Sequence, residues 1–234
     1  IAPTGVLAGV VKVEGGEPID GRRRIVMPKT ARGHRRVRPR LVSQFLIVLA
    51  RTTPLVWRRI QVPEAYSFWD LHVAIQDAMG WLDYHLHEFD VLDTRTGRVV
   101  RIGIPDDEFP DERPCLPGWK VPIARYLTYG CGPVRYRYDF GDDWEHVLEF
   151  EESLDADSDM YPRCIGGNGA CPPEDVGGTH GYSEFFVAIS DANHPDYEDM
   201  LRWVGGRFDP NAFRPEAIAF DDPKKRWKTA FEDE

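Results

Sequence analysis

Residues 135–146, which read RYRYDFGDDWEH, decide the fold because they carry the pattern of two strands joined by a tight turn. Basic and aromatic residues alternate up to Tyr138, the alternation breaks at residues 139–143, and it resumes at Trp144. Asp and Gly tolerate the positive φ that a hairpin turn requires. The stretch therefore predicts a β-hairpin over residues 136–150.

A second stretch, residues 162–182, is too rich in Gly and Pro for a helix or a sheet strand. A loop of this length inside a compact domain is usually functional or disordered. The run PPEDVGG at residues 172–178 favours a fixed shape. We expect this loop and the hairpin to meet and to form one concave feature.

Hydrophobic periodicity predicts the strands that accompany the hairpin. Residues 44–49 and 56–62 indicate two strands that form an antiparallel pair. Residues 85–92 and 98–104 indicate a second hairpin, with its turn at residues 93–97. The sheet is therefore expected to be mainly antiparallel.

The most regular helical pattern lies between Ser67 and Gly80. Ser67 and Asp70 predict a capping box, and Gly80 predicts the C-terminal cap. Shorter helices are predicted at residues 122–130, from Ser183 onward, and at residues 195–204. Helices inserted among hairpins predict an α+β fold, organised as a single domain plus an N-terminal arm.

The net charge of −10 hides an asymmetry between the start of the chain and the rest. Residues 1–40 carry ten Lys or Arg against three acidic residues, a balance of +7, and the remainder carries nineteen against thirty-six, a balance of −17. We therefore divide the chain into a basic Gly-rich arm or linker at 1–40, a domain at 41–225 and a charged tail at 226–234.

The arm admits two interpretations, a solvated linker or a segment that contacts a partner. Runs of like charge bind polyanions locally even when the rest of the protein is acidic. Protein or nucleic acid is therefore a candidate partner. The arginines of a nucleic-acid contact would be Arg22, Arg23, Arg24, Arg35, Arg36 and Arg38.

The composition also indicates in which cellular compartment the protein is expected. The chain has no run of about 18 apolar residues, the length that suggests a transmembrane helix. Four cysteines are few for a disulfide scaffold, so we expect a reduced, cytoplasmic protein that does not enter a membrane. Cys164, Cys171 and His180 form a partial metal-ligand set, although their spacing matches no usual zinc pair.

Four sequence blocks, in this order, resemble the plasmid pRiA4b ORF-3-like family, whose members also occur as passenger proteins of transposable elements. The blocks are PLVWRRI at 54–60, the segment from Leu71 to HLHEF at 85–89, YRYDFGDDWEH at 136–146, and CPPEDVGG with Gly-Tyr at 171–182. The resemblance covers about residues 41–225 and implies an α+β fold. Some members are labelled resolvases, but this chain has no serine- or tyrosine-recombinase constellation.

One hypothesis places a divalent metal at His85, His87, Asp142 and His146. His85 and His87 are two residues apart on an expected strand, so both would leave the same face. Mixed His and carboxylate ligands suit zinc, manganese or iron, and an open site activates water. A hydrolase or nuclease would then use its catalytic candidates Asp142, His146, Glu174 and Asp175.

The alternative gives each of these side chains a local structural role. Asp139 and Asp142 would accept backbone N–H bonds within the turn. The histidines would donate to backbone carbonyls, and Glu174 and Asp175 would cap the helix at Ser183 or pair with Arg58 or Arg59. The protein would then be a mobile-element-associated accessory or binding module that recognises protein or nucleic acid.

Overall fold

The computed structural model describes residues 40–105, 114–158 and 160–231. The eight strands are β1 (Leu41–Leu49), β2 (Val56–Pro63), β3 (His87–Asp93), β4 (Arg98–Gly103), β5 (Cys115–Pro117), β6 (Val134–Tyr138), β7 (Trp144–Asp155) and β8 (Arg163–Asn168). The four α-helices are α1 (Phe68–Met79), α2 (Gly178–Ser190), α3 (Tyr197–Trp203) and α4 (Pro223–Phe231). None of these helices is long and apolar enough to cross a lipid bilayer.

The strands form one sheet in the order β5-β4-β3-β6-β7-β1-β2-β8. Every neighbouring pair is antiparallel except β4 and β5, which are parallel. The α+β class with a mainly antiparallel sheet is confirmed. The hairpin β6–β7 lies at the centre of the sheet, so its turn occupies a fixed position at one sheet end.

Helix α1 covers one face of this sheet and is fixed at both ends as its sequence predicts. The Ser67 hydroxyl accepts from the Asp70 backbone N–H, and the Asp70 carboxylate accepts from the Ser67 N–H, which completes the capping box. Gly80 ends the helix with φ of 91°, a conformation that a residue with a Cβ adopts at a cost. The buried guanidinium of Arg58 adds a bond from Nε to the Ala78 carbonyl at 2.8 Å.

The two faces of the sheet differ because side chains alternate along each strand. On the α1 face, Phe89, Tyr136 and Ile102 are fully buried. On the other face, Glu88 pairs with Arg101 at 3.1 Å and with Arg137 at 3.0 Å. The core therefore lies between α1 and the sheet, and the opposite face carries ion pairs.

Two elements differ from the sequence prediction inside the Gly-rich stretch 162–182. Residues 163–168 form strand β8, which pairs with β2. A Cβ at Gly167 would lie 2.4 Å from the Phe213 ring, so this glycine allows close packing on a strand and does not mark a loop. Helix α2 begins at Gly178 and not at Ser183, because Gly181 approaches the Val176 carbonyl so closely that its Cβ would lie 1.9 Å away.

Two further differences lie elsewhere. The helix expected at 122–130 is reduced to a 3-10 turn at Ile123–Arg125, and the Ile123 N–H donates to the Tyr66 carbonyl at 2.9 Å. Residues 226–231 of the expected charged tail belong to helix α4. Trp227 of α4 packs against Trp69, with ring centroids 5.2 Å apart, so burial of an aromatic side chain holds this helix to α1.

Candidate functional site

The turn at residues 139–143 and the loop at residues 172–178 are in direct contact, as the sequence predicts. The Gly177 N–H donates to Oδ2 of Asp142 at 3.1 Å. A Cβ at Gly178 would lie 2.3 Å from the Asp142 carbonyl oxygen, so only glycine allows this approach. The two segments therefore pack against each other at the end of the sheet.

Three side chains converge where the two segments meet, and we call them the His85 cluster: His85, Asp139 and Asp175. His85 Nε2 lies 3.0 Å from Asp175 Oδ1 and 3.6 Å from Asp139 Oδ2. One ligand-type atom from each residue lies within 4.8 Å of the other two. Such spacing lets one imidazole and two carboxylates bind the same metal ion.

Both aspartates of the His85 cluster have a left-handed backbone conformation. Asp139 has φ of 57° and Asp175 has φ of 58°, a conformation that Asp tolerates better than most residues. Asp139 also accepts the Gly141 N–H on Oδ1 at 2.9 Å, which leaves Oδ2 directed at His85. The Asp139 N–H donates to the Leu86 carbonyl at 2.9 Å, so the turn is tied to the segment that carries His85.

Glu174 fixes the loop beside the His85 cluster. Its carboxylate accepts from the Tyr138 hydroxyl and from the Leu82 N–H, the latter at 2.9 Å. Burial raises the pKa of Tyr138, and the neighbouring Glu174 raises it further, so the phenol keeps its proton and donates. Trp81 stacks on Tyr138 and donates from Nε1 to the Pro172 carbonyl at 3.0 Å. These contacts make Glu174 a positioning residue.

The other residues of the predicted metal set lie elsewhere. His87 is buried on the α1 face, where its ring stacks on His72 with centroids 3.4 Å apart. His146 is fully buried, and its ring nitrogens form no hydrogen bond to any described residue. The Asp142 carboxylate accepts a hydrogen bond from the Gly177 N–H. His85 precedes β3 and is not part of it, so the two-residue spacing does not place it beside His87.

Burial also sets the protonation of these two interior histidines. It lowers the pKa of His146 to about 3. It holds the pKa of His87 well below its usual value, and the neighbouring His72 lowers it further. Both rings are therefore neutral at pH 7.

The partial set of Cys164, Cys171 and His180 is not assembled either. Among the described residues, the His85 cluster is the only close group of three or more His, Cys, Asp or Glu ligands. The side chain of His180 is 87% exposed and lies 3.5 Å from Glu184. Burial raises the pKa of Cys171, so its thiol stays protonated and is a poor metal ligand.

The local structural roles predicted for the acidic side chains are found in part. Asp139 and Asp142 do hold the turn and the loop by accepting backbone N–H bonds. Within the part of the chain that the structure describes, however, Glu174 and Asp175 neither cap α2 nor pair with Arg58 or Arg59. Arg59 pairs instead with Glu151 at 2.7 Å.

Sequence reasoning missed a buried polar network near the His85 cluster. His72 Nδ1 lies 2.8 Å from the Tyr136 hydroxyl, and His72 Nε2 lies 2.7 Å from Asp83 Oδ1. Gln76 Nε2 donates to the same hydroxyl at 2.8 Å. The signal was present, since His72 and Gln76 are four residues apart and so lie on one face of α1.

The arginines expected to contact nucleic acid lie in residues 1–39, outside the described residues. Arg22, Arg23, Arg24, Arg35, Arg36 and Arg38 therefore remain a sequence-based prediction.

Comparison with known proteins places the chain in a family. "Uncharacterized protein y4hQ" of Sinorhizobium fredii (strain NBRC 101917 / NGR234) is 35% identical over 190 residues, which cover 80% of this chain and 94% of that one. The crystal structure of a protein of unknown function, MM3350 from Methanosarcina mazei Go1, is similar with a TM-score of 0.72 and 40% identity, and covers 77% of this chain and 99% of that one. Residues 42–217 match the model of the family described as "Plasmid pRiA4b ORF-3-like protein". The chain therefore belongs to the plasmid pRiA4b ORF-3-like family.

Proposed function

We propose that this protein is a metal-dependent binding module, in which a divalent cation held by His85, Asp139 and Asp175 joins the turn to the loop. The convergence of these three ligand atoms within 4.8 Å is the observation that carries the proposal. One imidazole and two carboxylates suit Mn²⁺, Zn²⁺ or Fe²⁺.

The proposed role of the cation is to present open coordination positions to a partner. Three protein ligands leave at least one position of a tetrahedral or octahedral ion to an outside group. The body of the protein from residue 41 has a balance of −17, which repels polyanions over most of its surface. A partner protein that offers a single carboxylate to the metal fits this charge better than nucleic acid does.

The rival role, a hydrolase or nuclease, also needs a free base next to the metal-bound water. Of the sequence candidates for this base, Asp175 is itself a proposed ligand, His146 is fully buried, and the other two already accept hydrogen bonds. Glu174 accepts from Tyr138 and Leu82, and Asp142 accepts from Gly177. Binding therefore agrees better with the geometry than hydrolysis does.

The setting we propose is an accessory role in the cytoplasm linked to a mobile element. The plasmid in the family description supports the mobile-element link. All four cysteines are free thiols, as in most proteins of a reducing compartment. The basic residues of the arm would strengthen contact with an acidic partner.

Titration calorimetry on chelator-treated protein tests the metal site. We expect one site for Zn²⁺ and for Mn²⁺, with Zn²⁺ the tighter, as the Irving–Williams order requires. Asp175→Asn keeps a residue that tolerates positive φ but removes the charge, and should weaken both metals at least about tenfold.

The matched control is Glu184→Gln, which removes the same charge from an exposed acid of α2 outside the His85 cluster. Its metal affinity should equal that of the parent protein. Absence of heat and of a thermal shift with both metals would overturn the site, as would an equal loss in the two variants.

The open coordination position is tested separately. Water-proton relaxation of the Mn²⁺-loaded protein should fall when acetate is added, because a carboxylate displaces metal-bound water. Unchanged relaxation would contradict the binding role. Turnover of bis-p-nitrophenyl phosphate that requires metal and is lost in Asp175→Asn would favour the hydrolase instead.

A further inference from the structure

A second cavity lies on the other side of the segment that carries His85, between residues 81–87 and helix α4. Its volume is about 940 Å³, within the range of small-molecule sites. Five Trp, Tyr or Phe side chains line it: Trp69, Trp81, Tyr84, Phe220 and Phe231. Its walls are therefore suited to a flat apolar ring.

His87 is the first polar group of this cavity without a partner. The residue is only 3% exposed, and its Nδ1 is buried without a hydrogen-bond partner among the described residues. Contact with His72 is through the stacked ring faces, which leaves the nitrogen-bearing edge free. Buried polar groups are nearly always hydrogen-bonded, so an imidazole in a cavity wall with no partner indicates a ligand.

Arg226 supplies a second such group from α4. Nη2 donates to Asp77 at 2.6 Å and to Asp221, whereas Nη1 is buried without a hydrogen bond to the described residues and lies 3.6 Å from Asp83 Oδ2. A guanidinium has five N–H donors, and this one has donors left over after its ion pairs are made. One imidazole and one spare guanidinium donor thus line the same cavity.

The charges around the cavity select against a strongly charged ligand. Asp83, Asp221 and Asp222 oppose an anion, and Lys225 and Arg226 oppose a cation. The sum of these five charges is close to neutral, so an ion entering the cavity would gain little from it. An uncharged molecule loses less hydration on entry.

We propose that this cavity binds a planar, uncharged nitrogen heterocycle of nucleobase size. Its ring would lie against the aromatic walls, and its polar edge would accept from Arg226 and share a hydrogen bond with His87. His85 lines this cavity and is also a ligand of the proposed metal, whereas Asp139 and Asp175 do not line it, so a change at Asp175 tests the metal without altering the cavity wall.

Binding of free adenosine, guanosine, cytidine and uridine to the purified chain tests the proposal. Calorimetry and quenching of Trp fluorescence should detect saturable binding of at least one nucleoside. Benzoate and benzylamine, which carry one charge each on a ring, should bind at least about tenfold more weakly.

Cavity-filling variants locate the binding. Ala230→Trp places a large side chain at an exposed position that lines the cavity and should weaken nucleoside binding at least tenfold. Ala217→Trp makes the same change at an exposed position outside it and should have no effect. His87→Phe keeps a stacking ring without nitrogen and should also weaken binding, and if it does not fold, the Ala230 variant decides.

Three results would overturn the proposal. They are no nucleoside binding at millimolar concentration, equal affinity for the charged ring compounds, and equal affinity in the Ala230→Trp and Ala217→Trp variants. Asp175→Asn should keep nucleoside binding while losing metal, so failure of one proposal is distinguishable from failure of the other.

Discussion

Two groups of similar side chains lie close together in this protein and differ in their surroundings. The interior network of His72, Asp83 and Tyr136 is buried, with hydrogen bonds of 2.7 and 2.8 Å. The His85 cluster combines one imidazole with two carboxylates, of which Asp139 is buried, whereas the side chain of His85 is 32% exposed and that of Asp175 is 65% exposed.

We infer from this difference that burial, and not residue type, decides what a His–Asp pair does here. An interior pair must be satisfied within the protein, because an unpaired buried polar group costs the full desolvation free energy. A solvent-exposed pair contributes little to stability and keeps its lone pairs available to a ligand. We therefore expect mutations of the interior network to change folding and mutations of the His85 cluster to change binding.

The largest effect is expected from His72→Ala. The change leaves a cavity and removes one hydrogen-bond partner each from the Tyr136 hydroxyl and the Asp83 carboxylate, so it should lower the free energy of unfolding by about 4 kcal/mol. Guanidinium melts measure this loss. The control His180→Ala, at an exposed ring, should change stability by less than about 0.5 kcal/mol, and similar losses in both variants would break the comparison.

Protonation of His146 is expected to cause the next largest loss of stability, and this loss appears only at acidic pH. Its folded pKa of about 3 lies below the unfolded value of about 6.5, so the unfolded state binds the proton first. Stability is therefore full above pH 6.5 and is lost as the pH falls towards 3. From pH 7 to pH 4 this residue should account for a loss of about 3 kcal/mol.

His146→Phe tests this assignment, since phenylalanine has a similar shape and no titrating group. Urea melts from pH 7 to pH 4 should show a smaller loss of stability in the variant than in the parent protein, by about 3 kcal/mol. Parallel pH profiles would mean that His146 is not the interior group that titrates.

The sequence was sufficient to predict the features that depend on local contacts. Ser67, Asp70 and Gly80 act within a few residues of the helix ends they cap, and α1 has the limits they predict. The hairpin turn is local too, because Asp139 accepts N–H bonds from Gly141 and Asp142. Such features depend on backbone geometry that a short segment determines by itself.

The sequence did not predict the features that depend on contacts between distant segments. Helix α4 is held to α1 by Trp227 on Trp69 and by Arg226 on Asp77, and neither contact has a local signature. The His85 cluster likewise combines residues from three segments. Strand periodicity suggested His87 as the partner of His85, but β3 starts at His87, and the partners of His85 come from the turn and the loop.

Gly178→Ala disturbs the contact that brings the turn and the loop together, with an intermediate effect. Its Cβ would lie 2.3 Å from the Asp142 carbonyl oxygen at φ of 65°, so we expect a loss of about 2–3 kcal/mol in chemical melts. Metal affinity should fall as well, because Asp175 moves with the loop.

Gly205→Ala is the matched control for this substitution. Gly205 has φ of 86°, and no described atom lies within 4 Å of the position that an alanine methyl would take. The variant should therefore lose only about 1 kcal/mol of unfolding free energy, which is the cost of the backbone strain. Equal losses of unfolding free energy in the two variants would show that the turn and the loop are not in close contact at Gly178.

The smallest effect on folding is expected at the His85 cluster itself. In chelator, Asp175→Asn should change the free energy of unfolding by less than about 0.5 kcal/mol, because the pair with His85 is exposed. With metal at one hundred times the parent Kd, the parent protein should gain about 2.7 kcal/mol. A variant that binds tenfold more weakly should gain about 1.4 kcal/mol. A large loss in chelator would instead make Asp175 part of the scaffold, and the distinction between the interior network and the open cluster would fail at the residue where burial is lowest.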